Sequence, residues 1–223
     1  MQRHFDAELK TLKEKLLKMG VLVQEAVSKS VEALTKRDSK LAQQVMEQDQ
    51  RINILEIEID EFGHELIALR QPAAVDLRFI TMVLKINSDL ERIGDQAVNI
   101  AEKAIAMNLE APVKYPGSIQ KMSEVAISMV KEALDSFLKG DAAQAKAICE
   151  RDDEIDELND QAYRELQEVM KREPDHIPQE LSLIMVAHNL ERIGDLATNV
   201  AEDTIYVAKG IDIRHHITER RET

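Results

Sequence analysis

Residues 90–102 read LERIGDQAVNIAE and residues 190–202 read LERIGDLATNVAE: ten identities in thirteen positions, set 100 residues apart. A repeat of this kind restricts the chain to folds in which one unit is made twice and packed on its copy. The likeness extends upstream of the quoted stretch. At an offset of 103, Glu47, Asp49, Ile52 and Leu55 match Glu150, Asp152, Ile155 and Leu158, while Asn53 stands where the second copy has Asp156. The offset falls from 103 to 100 between these two blocks, so the loop joining them absorbs the difference.

Each unit reads as three helices. Phe5, Leu9, Leu12, Leu16, Met19, Val23, Ala26, Ser30, Ala33 and Leu34 recur at three-to-four spacing and mark the first. Asp38 is an N-cap for a second, which runs to about Arg70 with Leu41, Val45, Ile52, Leu55, Ile59, Leu66 and Leu69 apolar. Pro72 ends it, and a third helix covers about Ala74 to Asn108. Glu110–Gly117 holds two Pro and one Gly in eight residues and reads as a linker. The pattern then restarts: a helix over 118–139, a break at Lys139-Gly140-Asp141, a fifth helix to about Arg172, a loop at Glu173–Pro178, and a sixth helix to about Lys209 with Gly210 as C-cap. With 7 Gly, 5 Pro, no Trp and 3% aromatics, the composition agrees with an all-α chain. The expected fold is six long helices forming two repeated antiparallel three-helix bundles, residues 1–112 and 113–223.

Charge narrows the function. A formal charge of −13 argues against a general nucleic-acid binder and favours metal cations or a basic patch on a partner. Cys149 stands alone, which fits a reducing compartment. The start, MQRHFDAELKTL, lacks the apolar run of a signal peptide, and no stretch approaches the roughly 18 apolar residues of a membrane span. The expectation is a soluble cytoplasmic protein.

With about 100° per residue and Glu91 at zero, Asp95, Asn99 and Glu102 fall near 40°, 80° and 20° on one helix face. Leu90, Ile93, Ala97, Ile100 and Ala104 fall on the other and build core. Glu191, Asp195, Asn199 and Glu202 repeat the stripe, joined by His188 where the first copy has Ser88. The preceding helix carries Asp49, Asn53, Glu56 and Asp60 at spacings of 4, 3 and 4. About a hairpin centred on Pro72, Asp49 stands level with Asp95 and Asn53 with Glu91. In the second unit Asp152 stands level with Asp195 and Asp156 with Glu191. Carboxylates gathered so closely repel unless one takes a proton or a cation intervenes. Magnesium, manganese, calcium or ferric ions take such oxygen sets, whereas an acidic face met singly is ordinarily just solvated. Gly94 and Gly194 cost roughly 1 kcal/mol of helix propensity each, so they are expected to admit a neighbouring helix backbone, either to close the ligand stripes or for packing alone.

The paired LERIGD…N..AE segments, the turn Arg70-Gln-Pro-Ala-Ala-Val-Asp-Leu-Arg78 and the segment Tyr206–His215 resemble the PhoU family of phosphate-transport accessory and signalling proteins. The resemblance covers essentially the whole chain. It implies two three-helix bundles related by a pseudo-twofold axis, and paired acidic motifs as metal sites. On this sequence they fall on Asp49–Asn53 with Glu91–Asp95, and on Asp152–Asp156 with Glu191–Asp195. Asn53 departs from the pattern and leaves the first site with less charge. Asn99, Glu102, Asn199, Glu202 and His188 are candidate further ligands; Arg70, Asp76 and Arg78 are candidate partner contacts. The implied metal is iron, manganese, magnesium or another divalent or trivalent ion. The implied role is regulatory rather than enzymatic: repression of phosphate-starvation signalling and limitation of phosphate uptake. The implied partners are a sensor histidine kinase, the ATPase subunit of a phosphate ABC transporter, and a second copy of the chain in a homodimer. That places the protein at the inner face of the membrane.

Two other readings compete. A ferritin-like metalloenzyme would place Glu and Glu-x-x-His ligands inside a four-helix bundle, and neither acidic stripe carries a Glu-x-x-His. A helical scaffold whose acidic stripes bind no metal is the third reading. No glycine-rich phosphate loop is present, and Cys149 reads as core rather than nucleophile.

Overall fold

A computed structural model describes residues 2–210, and the side chains of residues 4–210. The first unit contains α1 (Gln2–Lys36), α2 (Ser39–Arg70) and α3 (Ala74–Asn108). The second contains α4 (Gly117–Lys139), α5 (Ala142–Cys149), α6 (Asp152–Arg172), a 3-10 turn (Pro174–His176) and α7 (Ile177–Lys209). Residues 211–215 of the Tyr206–His215 segment lie outside the described residues.

One expected helix is broken. The fifth parts at Glu150–Arg151 into α5 and α6, where α2 of the first unit runs straight through. Asp152, Asp153 and Glu154 follow the break, and three acidic residues in a row suit a new helix N-terminus, where the peptide dipoles present positive charge. Arg151 fixes the break from the side. Its guanidinium donates to Glu132 and to Ser128 Oγ of α4 at 3.2 Å, and pairs with Glu154 at 3.4 Å. The first unit has Gln48 at that position. Both pieces pack on α4 and α7, as α2 packs on α1 and α3, so the three-helix plan survives.

The units meet through α1 against α4 and α3 against α7, like helix on like, as a pseudo-twofold requires. The expected core stripe of α3 is buried throughout, as are its counterparts Leu190, Ile193, Ala197 and Val200. Leu69, expected inward, is 65% exposed: it lies beyond Leu66, the last buried residue of α2, where the helix overhangs the core. The helix starts repeat in detail. Asp38 Oδ1 accepts from the amides of Lys40 and Leu41, and Asp141 Oδ1 from those of Ala143 and Gln144, all at 3.0 Å. Before the second cap stands Gly140 at φ 67°; before the first, Arg37 at φ 55°. A left-handed arginine is costly. Its side chain offsets this by donating to the carbonyls of Met107, Asn108 and Glu110 at 2.7–3.1 Å, capping the end of α3. No described helix is long and apolar enough to cross a membrane.

Candidate metal centre

The acidic stripes meet where a glycine removes a side chain, though the approach is not made by a backbone. A Cβ on Gly94 would stand 3.2 Å from Ile52 Cδ1 and 3.5 Å from Asp49 Oδ1. One on Gly194 would stand 2.9 Å from both Cδ1 and Cγ2 of Ile155. Ile52 and Ile155 are repeat counterparts, one turn along from Asp49 and Asp152. In each unit an isoleucine occupies the space left by the glycine. Packing and register are thus one device: the isoleucine seats the first stripe against the second.

In the second unit, Asp156, Glu191 and Asp195 each offer an oxygen within 4.8 Å of the others, the one acidic group of this kind among the described residues. Cations of this class hold oxygens at about 2.0–2.6 Å, so two ligands across one ion stand no more than about 5 Å apart. The donor set fits. Burial pushes the Asp195 carboxyl up to about 6, with Glu191, Asp152 and Asp156 adding repulsion and His188 opposing it. Asp156 is raised by burial, then by Asp152 and Glu191. Asp152 is turned aside: its Oδ1 accepts from Thr198 Oγ1 at 3.0 Å.

The first unit is wired differently. Asn53 Nδ2 donates to Asp49 Oδ2 at 2.9 Å, so the amide spends its donor on its own stripe. Asp49 Oδ1 and Asn53 Oδ1 are buried with no hydrogen-bond partner. These are orphaned acceptors of the kind a cation satisfies. Burial raises the Asp49 carboxyl, with the Asn53 bond opposing and Asp95 adding. Burial also raises Glu91, followed by Asp95, Glu56 and Asp49. Glu56 belongs to the acidic stripe read from the sequence, though not to the expected ligand set.

The remaining candidates divide. His188 Nδ1 lies 3.0 Å from Glu191 Oε2 at the edge of the second cluster. Asn199 and Glu202 line an open groove of about 560 Å³ with Asp152, Asp195 and Thr198, and Lys85, Asp89 and Arg92 of α3 line it too. Asn99 and Glu102 are exposed. Arg70 is engaged within the chain, holding Glu8 of α1 through two bonds of 2.9 and 2.7 Å. Asp76 lies in the first turn of α3, and the Arg78 guanidinium sits 5.9 Å from the Tyr206 ring centroid. Cys149 is half-buried, and burial pushes its thiol up to about 11, which removes it as a nucleophile.

Four residues escaped the sequence reading: Thr198, Asp89, and Lys85 with Asp203, which pair at 2.6 Å. Each is a place where the copies differ. Val98 faces Thr198, Asn189 faces Asp89, and Met185 and Lys103 face Lys85 and Asp203 in the alignment. Differences between the copies were the available signal.

The PhoU domain model matches residues 16–104 and again 119–204. The chain belongs to the PhoU family. A PhoU homologue from Aquifex aeolicus, called a phosphate-specific transport system accessory protein, is 44% identical over 96% of this chain and 98% of its own length. A Pseudomonas putida PhoU homologue is 42% identical over 96% of this chain and 84% of its own. The crystal structure of Pseudomonas aeruginosa PhoU superposes with a TM-score of 0.88 at 41% identity, covering 93% of this chain and all of that one. The PhoU of Streptococcus pneumoniae, described as a phosphate transport system regulatory protein, gives 0.87 at 30% identity, covering 93% of this chain and 98% of its own.

Proposed function

We propose that this PhoU-family chain is a regulatory accessory protein of bacterial phosphate transport, acting as an adaptor rather than an enzyme. It represses phosphate-starvation signalling and limits phosphate uptake. It does so from the inner face of the membrane, by linking the ATPase subunit of the phosphate transporter to a sensor histidine kinase. The observation that carries this reading is end-to-end identity of 44% with a relative called a phosphate-specific transport system accessory protein. Two long helical units with charged outer faces supply the surfaces an adaptor needs. Deleting the gene should raise starvation-gene expression in phosphate-rich medium; unchanged repression there would overturn the proposal.

The acidic clusters form part of the same reading. Asp156, Glu191 and Asp195, with Asp152 released from Thr198, would hold a divalent or trivalent cation in the second unit. Asp49, Asn53, Glu91 and Asp95 would do so in the first, with lower charge. An ion held there would supply positive charge between α6 and α7, or α2 and α3, and would offset the burial, and after it the mutual repulsion, that raise Asp156, Asp195, Asp49 and Glu91. Metal content of protein purified without a metal-affinity tag tests this. The Glu191→Ala, Asp195→Ala double variant should lose the metal of the second unit; equal content in variant and wild type would sink the assignment.

A further inference from the structure

A second site lies far along α7 from the acidic clusters, toward its N-terminus. Glu180 belongs to the first turns of this helix and is 1% exposed. Its repeat counterpart is Ile80, an ordinary core residue that is fully buried. The second unit therefore carries a carboxyl where the first carries a hydrocarbon. Nothing among the described residues answers it. Glu180 Oε2 has no hydrogen-bond partner, and Glu180 forms no ion pair among the described residues. Burial raises its carboxyl, with His176 opposing and Glu173 adding. A buried, unpaired carboxyl is retained at a cost to stability, so its presence calls for a use.

Glu180 lines a cavity of about 440 Å³ between the Glu110–Gly117 linker, the end of α6 and the 3-10 turn. The Tyr115 hydroxyl, on the linker side, is also buried without a partner. Three of the other polar groups there are engaged. Glu165 accepts from Ser118 at 3.1 Å and Gln161 at 2.6 Å, and His176 Nδ1 lies 2.8 Å from Glu173. Lys114 is exposed on the linker. Val113 and Val169 add apolar wall.

We infer that this cavity binds a small aliphatic cation, its ammonium or guanidinium group donating to Glu180 Oε2 and Tyr115 Oη with its alkyl chain against Val113 and Val169. The volume falls in the range of small-molecule sites. Three carboxylates repel phosphate or any other anion. A metal ion fits poorly, because Glu173, His176 and Glu180 do not bring three donor atoms to one point as the Asp195 cluster does. N–H donors on a flexible chain answer both orphaned atoms at once.

Calorimetric titration of the full chain near neutral pH, with n-butylamine and n-butylguanidine as probes, tests the inference. At least one probe should saturate at one site per chain, while n-butanol shows no binding. Glu180→Gln keeps the shape and removes the charge, and should weaken binding about tenfold or more. Glu180→Ile restores the residue of the first unit; it should abolish binding and raise the melting temperature, which shows that the fold is intact. Tyr115→Phe should weaken binding by a smaller factor. The inference fails if neither cation saturates, if Glu180→Gln binds within about twofold of wild type, or if manganese or inorganic phosphate occupies a Glu180-dependent site in their place.

Discussion

The two units share a plan and differ in electrostatics. Both use a glycine and an isoleucine to seat one acidic stripe on another. The first has an amide where the second has a carboxylate, and that amide donates to its own stripe through the Asn53–Asp49 bond. The second converges three carboxylates, diverts a fourth to Thr198, and adds His188 at the rim. A duplicated scaffold is conserved by packing, whereas its surface chemistry is free to diverge. The buried shape of the units is therefore nearly common, and the arrangement of their acidic side chains is not.

The packing side of this comparison gives the largest expected effect. Gly194→Ala drives a Cβ to 2.9 Å from the branched Cγ2 of Ile155, so it should cost about 1–3 kcal/mol in denaturant unfolding. Gly94→Ala meets Ile52 Cδ1 at 3.2 Å, and its gain of roughly 1 kcal/mol in helix propensity should leave it near neutral. Equal losses in the two variants would break the distinction.

Asp89 comes next. It is 5% exposed, and burial pushes its carboxyl up to about 6 from 3.8, with Lys85 opposing. The folded state then binds the proton more tightly than the unfolded state does. Stability from this group is full below 3.8 and is lost as pH rises through about 6. Asp89→Asn supplies the residue of the other unit, Asn189. It should stabilise the protein by about 1–3 kcal/mol near pH 8 relative to its effect near pH 4. A variant whose stability follows the wild type at both pH values would remove Asp89 from this account.

Asn53→Asp should sharpen the contrast from the other side by giving the first unit the charge of the second. Its cation affinity should rise roughly tenfold, read by calorimetry on metal-free protein. The smallest effect belongs to Thr198→Val, which restores Val98. It removes one hydrogen bond worth about 1 kcal/mol and frees Asp152, so stability should fall slightly while cation binding tightens. Binding that weakens instead would show that the Thr198 hydroxyl positions Asp152 for the ion.

Much of this was legible in the sequence because it depends on spacing. Asp38 and Asp141 cap helices through bonds spanning two or three residues, so a short pattern suffices. Leu90, Ile93, Ala97 and Ile100 are buried because the helix period puts them on one face. The level of Asp156 with Glu191 followed from counting outward from the turn. The break at Glu150–Arg151 was not legible, because it depends on Arg151 reaching Ser128 and Glu132 on another helix. Leu69 misled because helix periodicity continues past the point where neighbouring helices end.

The sequence by itself determined the duplication, the helical plan, the caps and the two acidic stripes, since each is a local or periodic property of the chain. Tertiary structure decided which carboxylates converge, that isoleucine rather than backbone fills the space beside Gly94 and Gly194, and that Glu180 lies buried beside the linker. Those outcomes depend on side chains distant in sequence meeting at a few ångströms, and neither period nor spacing encodes that distance.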